Sequence, residues 1–449
     1  KMIGLNISQL EQSLGSKEKA VAAFVDQFDG LKYADKVKQV THKQGAEAGI
    51  AYLKSQMLTC AYFPSENSSK DTENAARILI EGGALPDGKK VKGIGGTFHI
   101  VPVQDIVESY VEIFAGADKT GLSPDKKERL RKEVKECIKG ERETVSDEFK
   151  DNIKRRILSW KNKGDDVTLQ NIQARVRLPA AWLFGNDESK IACVTSNWSE
   201  SVAGYWTFGG DGHMGSINVL GGIPKSDLRQ LLTHLETKGI AGYEPIPALH
   251  YINQNKASAE LRPLKNGKII QFDEDDMMPY EALDAIARKI IIGKNSPVDA
   301  YKQLWAEQPK FSDSKPVFDS KERLIADIEQ CCSRWHASQF KRVAAVITPF
   351  LGQNVDPHTA VRTTIMSDGF MTGRAALKME YLKDKLGGEQ EFEQAIGKPF
   401  NKTLIELKIS GNLRQAVLNA PLDKLEETVK NIAPYNIDRT NYGNGYRTH

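Results

Sequence analysis

Residues 191–235 read IACVTSNWSESVAGYWTFGGDGHMGSINVLGGIPKSDLRQLLTHL, and this stretch decides the expected fold. Its first four residues, 191–194, form an apolar run of the length and type expected for a buried strand in a parallel sheet. Three small polar residues, 195–197, follow where such a strand would end. Because ligands of open α/β sheets bind at the carboxyl ends of the strands, we expect a binding site beside Thr195.

The rest of the stretch contains groups suited to a magnesium-bound polyphosphate. Glu200 comes shortly after Thr195 and precedes a glycine-rich segment, residues 204–215. Pro224 suits the first position of a helix, and Lys225 follows it, before leucines that recur at helical spacing. A hydroxyl and a lysine can contact phosphate oxygens, a carboxylate can hold the metal, and a helix N-terminus adds a favourable dipole. An ordinary strand, loop and helix with a solvated Lys225 would produce the same pattern, so the residues alone leave both interpretations open.

The run TSNWSESVAGYWTFGGDG at 195–212, with PKSDLR at 224–229, resembles the NAD synthetases. These enzymes are N-type ATP pyrophosphatases with an adenine-nucleotide α-hydrolase-like fold. The resemblance also covers LTCAY at 58–62 and NSS at 67–69, which are similar to the family's strand and loop that reach adenine and ribose. The resemblance therefore implies an α/β domain.

The pattern of elements in the first part of the chain points to the same fold class. Apolar runs at 57–62 and 97–103 alternate with helical patterns at 72–80 and 105–114. This β-α-β-α order predicts a doubly wound parallel sheet.

Two arginines near residue 175 have different expected roles. The run NIQARVR at 171–177 predicts a helix that points Arg175 and Arg177 about 200° apart, so the two cannot face the same side. The simplest interpretation is that both arginines are surface residues that bind no substrate. The run is also similar to the family segment whose first arginine contacts the deamidated dinucleotide, which implies that Asn171 and Arg175 bind substrate and that Arg177 is structural.

Further site residues follow from the resemblance alone. Residues 251–264, YINQNKASAELRPL, are similar to a family segment in which a threonine meets ATP, and Ser258 stands in its place. The run QFDE at 271–274 resembles a family loop that orders over the substrates, although such a charge run is usually only a solvated loop. Lys341, which an arginine follows, is similar to a lysine that reaches the substrate nucleotide.

The activity implied by the resemblance is ATP-dependent amidation of nicotinic acid adenine dinucleotide to NAD. The carboxylate attacks the α-phosphate of ATP to give an acyl adenylate and pyrophosphate, and ammonia then displaces AMP. The implied cofactors are ATP and Mg²⁺, and the implied assembly is a cytoplasmic homo-oligomer, a dimer or larger. The implied residues are Glu200 for the metal and catalysis, Lys225 for catalysis and ATP, Thr195 and Ser258 for ATP, and Asn171, Arg175 and Lys341 for the dinucleotide.

The family's phosphate loop, Ser-Gly-Gly-x-Asp-Ser, does not occur in residues 1–449. The nearest glycine cluster, residues 93–96, precedes an apolar run, so we predict a turn there. A chain that begins downstream of its own phosphate loop, whether shortened or shown without its upstream residues, is one explanation, and a degenerate relative is the other. The family's glutaminase domain is also absent from these residues, so this chain alone is expected to use free ammonia at most and could be inactive. Ammonia would come from glutamine if a glutaminase domain lies upstream.

Two other functions stay open. One is another adenylating amide ligase of the superfamily, similar to the GMP or asparagine synthetases. The other is a non-catalytic nucleotide-binding protein that has lost its phosphate loop.

Composition restricts the partners. The 62 lysines and arginines nearly balance the 59 acidic residues, and the net charge of +3 argues against nucleic-acid binding. No run approaches the ~18–20 apolar residues that would cross a membrane. The five cysteines form no CxxC pair and no disulfide framework. Cys60 and Cys193 lie inside apolar strand-like runs, which favours reduced thiols and a cytoplasmic setting.

The chain divides into regions of different character. Residues 117–166 are dense in charges of both signs, which predicts a solvated helical insertion. The predicted regions are a synthetase-like domain at 1–310 containing that insertion, its C-terminal part at 311–370, and an unrecognised, mostly helical extension at 371–449.

Overall fold

A computed structural model describes residues 2–28, 32–115, 123–138, 167–240, 244–265, 268–348 and 370–431. These residues form two compact units that alternate along the chain. Unit 1 lies within Lys1–Asn197, Trp206–Asp276 and Ala345–Pro349, and unit 2 lies within Trp198–Tyr205, Met277–Ala344 and Phe350–His449.

Unit 1 begins with a bundle of four helices. Val21, Val37 and Leu53 are fully buried between them, and Ser16 accepts a hydrogen bond from the Lys19 backbone N–H at the start of one helix. The four helices are α1 (Met2–Leu14), α2 (Lys17–Asp26), α3 (Ala34–Gln44) and α4 (Ala46–Met57).

The predicted β-α-β-α order follows. In chain order the elements are β1 (Thr59–Tyr62), α5 (Lys70–Glu81), β2 (Gly82–Ala84), β3 (Lys90–Lys92), β4 (Thr97–Ile100) and α6 (Gln104–Ala115). Strand β1 pairs in parallel with β4, from Thr59 opposite Thr97 to Tyr62 opposite Ile100, which confirms the predicted alternation. The antiparallel hairpin of β2 and β3 was not predicted, because each strand is only three residues long.

Of the charged insertion at 117–166, the structure describes residues 123–138, which contain α7 (Pro124–Ile138). This helix confirms the helical prediction for that part and packs against α6. The rest of the insertion lies outside the described residues.

A second parallel pair lies in the stretch that opened the sequence analysis. In chain order the elements are α8 (Val167–Arg175), α9 (Arg177–Asp187), β5 (Cys193–Val194), α10 (Trp198–Ala203), β6 (Ile217–Asn218) and α11 (Lys225–Thr237). Strands β5 and β6 are parallel, and the Asn218 backbone N–H donates to the Ile347 carbonyl oxygen over 2.8 Å.

The prediction of a buried strand at 191–194 was wrong in two respects. The strand is two residues long, and only Val194 is buried, whereas Cys193 and Ile191 are exposed. Successive side chains of a strand point to opposite faces, and one face of this strand is uncovered. The strands in the described ranges form three two-stranded sheets, so α/β pairing is present while a continuous doubly wound sheet remains a prediction.

Unit 1 continues with two short helices, α12 (His250–Gln254) and α13 (Asp273–Asp276), on either side of the loop that contains Ser258.

Unit 2 is helical in its described part. Tyr280, Leu283, Ile328 and Met379 are completely buried in it. Its helices are α10, α14 (Tyr280–Ala287), α15 (Pro297–Glu307), α16 (Lys321–Ala337), α17 (Gln339–Val343), α18 (Met371–Leu386), α19 (Glu389–Ile396), α20 (Phe400–Ile409), α21 (Gly411–Asn419) and α22 (Leu425–Asn431).

The C-terminal extension is helical as predicted over its described residues, 371–431. The structure does not describe residues 349–369 or residues 432–449. Within the ranges that the structure describes, no helix is long and apolar enough to cross a membrane.

Candidate functional site

Helix α8 presents two predicted substrate residues to the glycine-rich segment. The Thr207 hydroxyl donates to Asn171 Oδ1 over 3.1 Å, and Arg175 Nε donates to the Phe208 carbonyl oxygen over 3.1 Å. The two residues are one helical turn apart and therefore share a face. The structure thus brings Asn171 and Arg175 together against residues 207–208.

The conformation of the glycine-rich segment requires glycine, because a side chain at these positions would clash or be strained. Gly209 has φ +70°, and a Cβ on Gly212 would lie 2.0 Å from the Trp206 ring. Asp211 Oδ1 accepts a hydrogen bond from the Thr207 backbone N–H over 2.7 Å and closes the turn. The segment is consequently folded back on α8.

Arg175 and Arg177 face different environments, although the predicted single helix through both is wrong: α8 ends at Arg175 and α9 begins at Arg177. Arg175 is exposed, whereas Arg177 is partly buried. Burial lowers the pKa of Arg177, and the nearby Asp211 carboxylate opposes that shift. An exposed guanidinium is available to a ligand, so Arg175 is the better candidate of the two.

Thr195 and Lys225 follow neighbouring parallel strands. Thr195 is exposed and comes directly after β5. Lys225 is the first residue of α11, which the chain enters from the carboxyl end of β6. Because parallel strands end at the same edge, both residues leave the sheet on the side where α/β proteins bind ligands. Lys225 also lies where the helix dipole favours an anion.

Ser258 lies in a separate loop of unit 1. Its hydroxyl donates to the Gln271 carbonyl oxygen and accepts from the Glu260 backbone N–H over 3.2 Å. The Gln271 side chain in turn donates to Gln170 Oε1 on α8 over 3.1 Å. Ser258 is therefore connected to the helix that carries Asn171 and Arg175, through Gln271, and not to them directly.

Glu200 and Lys341 belong to unit 2. Every residue of α10 except Glu200 is buried, and Glu200 is half-buried. Lys341 Nζ donates over 2.7 Å to the carbonyl oxygen of Gly204, just beyond the end of α10. Gly204 has φ +63°, and a Cβ there would lie 2.1 Å from Ser338 Cβ. The structure thus links Lys341 to the segment that carries Glu200.

The donor set fits a magnesium ion that arrives with a nucleotide. Among the described residues, no group of three or more histidine, cysteine, aspartate or glutamate side chains is placed to hold a metal by itself. Mg²⁺ bound to ATP needs only one or two protein carboxylates, since phosphates and water supply the other ligands. A single half-buried Glu200 on a buried helix meets that requirement.

Unit 1 also contains a buried polar cluster that was not predicted from the sequence. We call Ser65, Asn67, Gln173, Glu260 and Gln271 the polar cluster; all are less than 9% exposed. Its members come from the loop after β1, from α8, from the segment around Ser258 and, for Gln271, from the residues just before α13. The side chains are far apart in sequence, so no local pattern could have identified the group.

Comparison with known proteins gives the following similarities. Residues 123–315 match the family model described as NAD synthase. A glutamine-dependent NAD(+) synthetase of Bos taurus is 30% identical over 261 residues, covering 56% of this chain and 30% of that protein. Its counterpart in Homo sapiens is 31% identical over 171 residues, covering 36% of this chain and 23% of that protein. The chain thus matches less than a third of the length of either relative.

A solved structure is similar as well. The crystal structure of a glutamine-dependent NAD(+) synthetase from Cytophaga hutchinsonii aligns with a TM-score of 0.51 and 24% identity, covering 80% of this chain and 49% of that one. At this identity the likeness concerns the fold alone.

Proposed function

We propose that this chain, whose residues 123–315 match the NAD synthase family model, takes part in ATP-dependent amidation of nicotinic acid adenine dinucleotide to NAD. The main support is the pairing of Asn171 and Arg175 on one face of α8 with residues 207–208. That face offers an amide and an exposed guanidinium, which suit the phosphates and carboxylate of a deamidated dinucleotide.

The proposed reaction has two steps. A carboxylate oxygen of the dinucleotide attacks the α-phosphorus of ATP, the bond to the bridging oxygen breaks, and pyrophosphate leaves. Ammonia then attacks the acyl carbon, the bond to AMP breaks, and the nitrogen loses a proton. Negative charge gathers on phosphate oxygens in the first step, so fixed cations and hydrogen-bond donors supply most of the catalysis.

The residues have the following proposed roles. Lys225 and the hydroxyls of Thr195 and Ser258 contact ATP phosphates, and Lys225 stabilises the charge that develops there. Glu200 holds the magnesium ion, which neutralises phosphate charge when bound. Asn171, Arg175 and Lys341 hold the dinucleotide so that its carboxylate faces the α-phosphorus.

The proposal extends to the setting of the domain. We place the synthetase-like domain at residues 1–310 and its C-terminal part at 311–370, and regard 371–449 as an appended helical region. The parallel pairs of unit 1 are taken as parts of a doubly wound sheet. The protein is proposed to be a cytoplasmic homo-oligomer that uses ammonia, supplied from glutamine where a glutaminase domain accompanies it.

Equilibrium binding tests the proposal on this chain, because turnover also requires a phosphate loop that residues 1–449 do not contain. Calorimetric titration should show binding of nicotinic acid adenine dinucleotide and weaker or no binding of xanthosine monophosphate or aspartate. Arg175→Met should weaken dinucleotide binding about tenfold, or ~1.4 kcal/mol. Lys238→Met, which removes an exposed cation at the far end of α11, serves as the control and should bind normally.

The alternatives give different results. Binding of xanthosine monophosphate or aspartate in preference to the dinucleotide would indicate another amide ligase. Equal dinucleotide affinity of wild type and Arg175→Met would show that Arg175 does not contribute to dinucleotide binding.

A further inference from the structure

Gln173 lies on α8 between Asn171 and Arg175 in sequence but points to a different face. Only 1% of Gln173 is exposed. Its Oε1 accepts from the Ser65 hydroxyl over 3.1 Å and from Asn67 Nδ2 over 2.9 Å. Its Nε2 donates to the Leu261 carbonyl oxygen over 2.8 Å. Both ends of one buried amide are therefore used to join α8 to two other segments.

The two other segments are also joined to each other. Asn67 Nδ2 donates to the same Leu261 carbonyl oxygen over 3.1 Å. The loop after β1, the helix α8 and the segment around Leu261 thus form a closed set of hydrogen bonds. Movement of one segment by a few tenths of an ångström would weaken bonds to both others, since hydrogen bonds depend steeply on distance and angle.

Glu260 strengthens the same connection. Its carboxylate accepts from the Ser69 backbone N–H over 2.9 Å and from the Ser69 hydroxyl over 2.8 Å, at the start of α5. It also accepts from the Thr72 hydroxyl. Glu260 has φ +49°, a left-handed conformation that is unfavourable for a residue with a side chain. The strain is retained because this conformation aims the carboxylate at α5.

Gln271 fixes the other side of this segment. Its Oε1 accepts from the backbone N–H groups of Leu261 and Arg262 over 3.0 and 3.2 Å, and its side chain also reaches α8 at Gln170. Three side chains of the polar cluster, those of Asn67, Gln173 and Gln271, therefore bond to the backbone of residues 261–262. A core built of apolar side chains would fill this space without fixing the register of the segments, because only directional contacts specify one arrangement.

We propose that Gln173 is a positioning residue, which holds the loop after β1 and the segment 258–262 in register with the face of α8 that carries Asn171 and Arg175. It touches no ligand itself. The inference rests on the proposed function for the identity of the ligands, an adenine nucleotide and a deamidated dinucleotide. The mechanical part, a fixed relation between three segments, is independent of that identity.

Gln173→Met tests the inference, because it keeps the side-chain volume and removes every hydrogen bond of the amide. Hydrogen exchange measured by mass spectrometry should become about tenfold faster in residues 65–69 and 258–262. Calorimetry should show affinities for nicotinic acid adenine dinucleotide and for ADP with Mg²⁺ that both fall about tenfold. Val21→Ala is the control, since Val21 is fully buried among the N-terminal helices of the same unit and lies outside the polar cluster.

A second variant separates positioning from loss of stability. Gln173→Glu has an acceptor oxygen and, when protonated, an O–H donor that can replace the amide. Its affinities should approach those of wild type at pH 5.5 and fall at pH 8, where the ionised carboxylate has no donor for Leu261. Gln173→Met should show no such recovery at the lower pH.

The outcomes are distinguishable. Unchanged exchange in residues 65–69 of Gln173→Met would overturn the inference, and so would an equal local increase in Val21→Ala at matched melting temperature. Normal affinities in Gln173→Met would overturn it as well. If wild type binds neither probe while exchange rises as expected, the proposed function fails and the positioning role stands.

Discussion

Glu200 and Lys225 are the residues on which the proposed adenylation depends most. In a form of the protein that adenylates the dinucleotide, Glu200→Gln or Lys225→Ala should slow pyrophosphate release by roughly 10²–10³, or ~3–4 kcal/mol, as for other lost transition-state contacts. Single-turnover measurement of pyrophosphate gives the rate directly. Lys238→Ala, at the other end of α11, should leave the rate unchanged. A rate within a few fold of wild type in either variant would mean that its residue is misassigned.

Lys378 is a second residue with a measurable role, in the stability of unit 2. It is 5% exposed, donates to the carbonyl oxygens of Leu418 and Ala420 over 2.8 and 2.9 Å, and lies 3.7 Å from Glu329. Lys378→Met removes one of the two cations, Lys378 and Arg374, that act on this partly buried carboxylate, and should lower the free energy of unfolding by roughly 3 kcal/mol at neutral pH. Lys402→Met on α20, which alters an exposed lysine, should cost little.

The loss in Lys378→Met should depend on pH in a predictable direction. Burial raises the pKa of Glu329 above its usual value, even with Lys378 present to oppose the shift. A raised carboxyl pKa means that the folded state retains a proton which the unfolded state releases, so stability falls as pH rises through the raised pKa. Urea denaturation should therefore show a smaller loss at pH 5 than at pH 7.5, and equal losses would exclude Glu329 as the partner.

Residue orientation was only partly predictable. Arg175 and Arg177 do differ in exposure, but the predicted single helix through both is wrong, because α8 ends at Arg175 and α9 begins at Arg177. The contacts of Gln173 and Glu260 were not predictable, because their partners come from distant segments that only the folded chain brings together. The roles of the seven predicted site residues stay predictions.

Helix α5 illustrates how a single element depends on a distant side chain. Ser69 caps the helix by accepting from Thr72 N, and its own hydroxyl donates to Glu260. Ser69→Ala should lower the free energy of unfolding by roughly 2 kcal/mol. The helix would lose its N-cap, and the buried Glu260 carboxylate would lose the hydrogen bond from the Ser69 hydroxyl. Ser16→Ala removes a more exposed cap from α2 and should cost less than half as much. Equal costs in thermal denaturation would show that Glu260 adds nothing.

Elements differ in how well the sequence predicts them. Helices with a clear apolar period were predicted well: α6 within one residue of each bound, and the start of α11 within one residue. The hairpin of β2 and β3 was missed, since glycine and lysine carry little strand preference. Strand β5 is shorter than predicted. An apolar run indicates that a segment favours strand conformation, but it does not show how many of its residues pair with an adjacent strand.

Because cysteines lie in both units, the rates at which their thiols are labelled test the packing of each unit. Cys193 is exposed in unit 1, whereas Cys331 and Cys332 of unit 2 are at most 2% exposed. Burial also raises the pKa of Cys332 to about 12. In native buffer at pH 8, maleimide should modify Cys193 at least ~100-fold faster than the buried pair, since only exposed thiolates react.

Peptide mass spectrometry after labelling gives the three rates separately. Addition of urea should expose Cys331 and Cys332 together when unit 2 unfolds. Modification of the pair in native buffer at the rate of Cys193 would contradict the packing of α16.

The division of the chain into alternating units could not be predicted from composition. No proline- or glycine-rich boundary marks residues 198 or 277, where the chain passes from one unit to the other, and the glycine-rich segment around residue 206 was interpreted as part of a binding site. The predicted linear boundaries at 310 and 370 stay predictions, since compactness depends on long-range contacts that a linear pattern does not contain.

The bond between Asn218 and Ile347 has a consequence for biosynthesis. The second neighbour of β6 is supplied by a segment that leaves the ribosome after residues 277–344, which belong to the other unit. The nascent chain cannot complete unit 1 until that intervening segment has emerged. Closure of so long a loop is slow, so the edge of β6 stays open while the intervening segment is being synthesised.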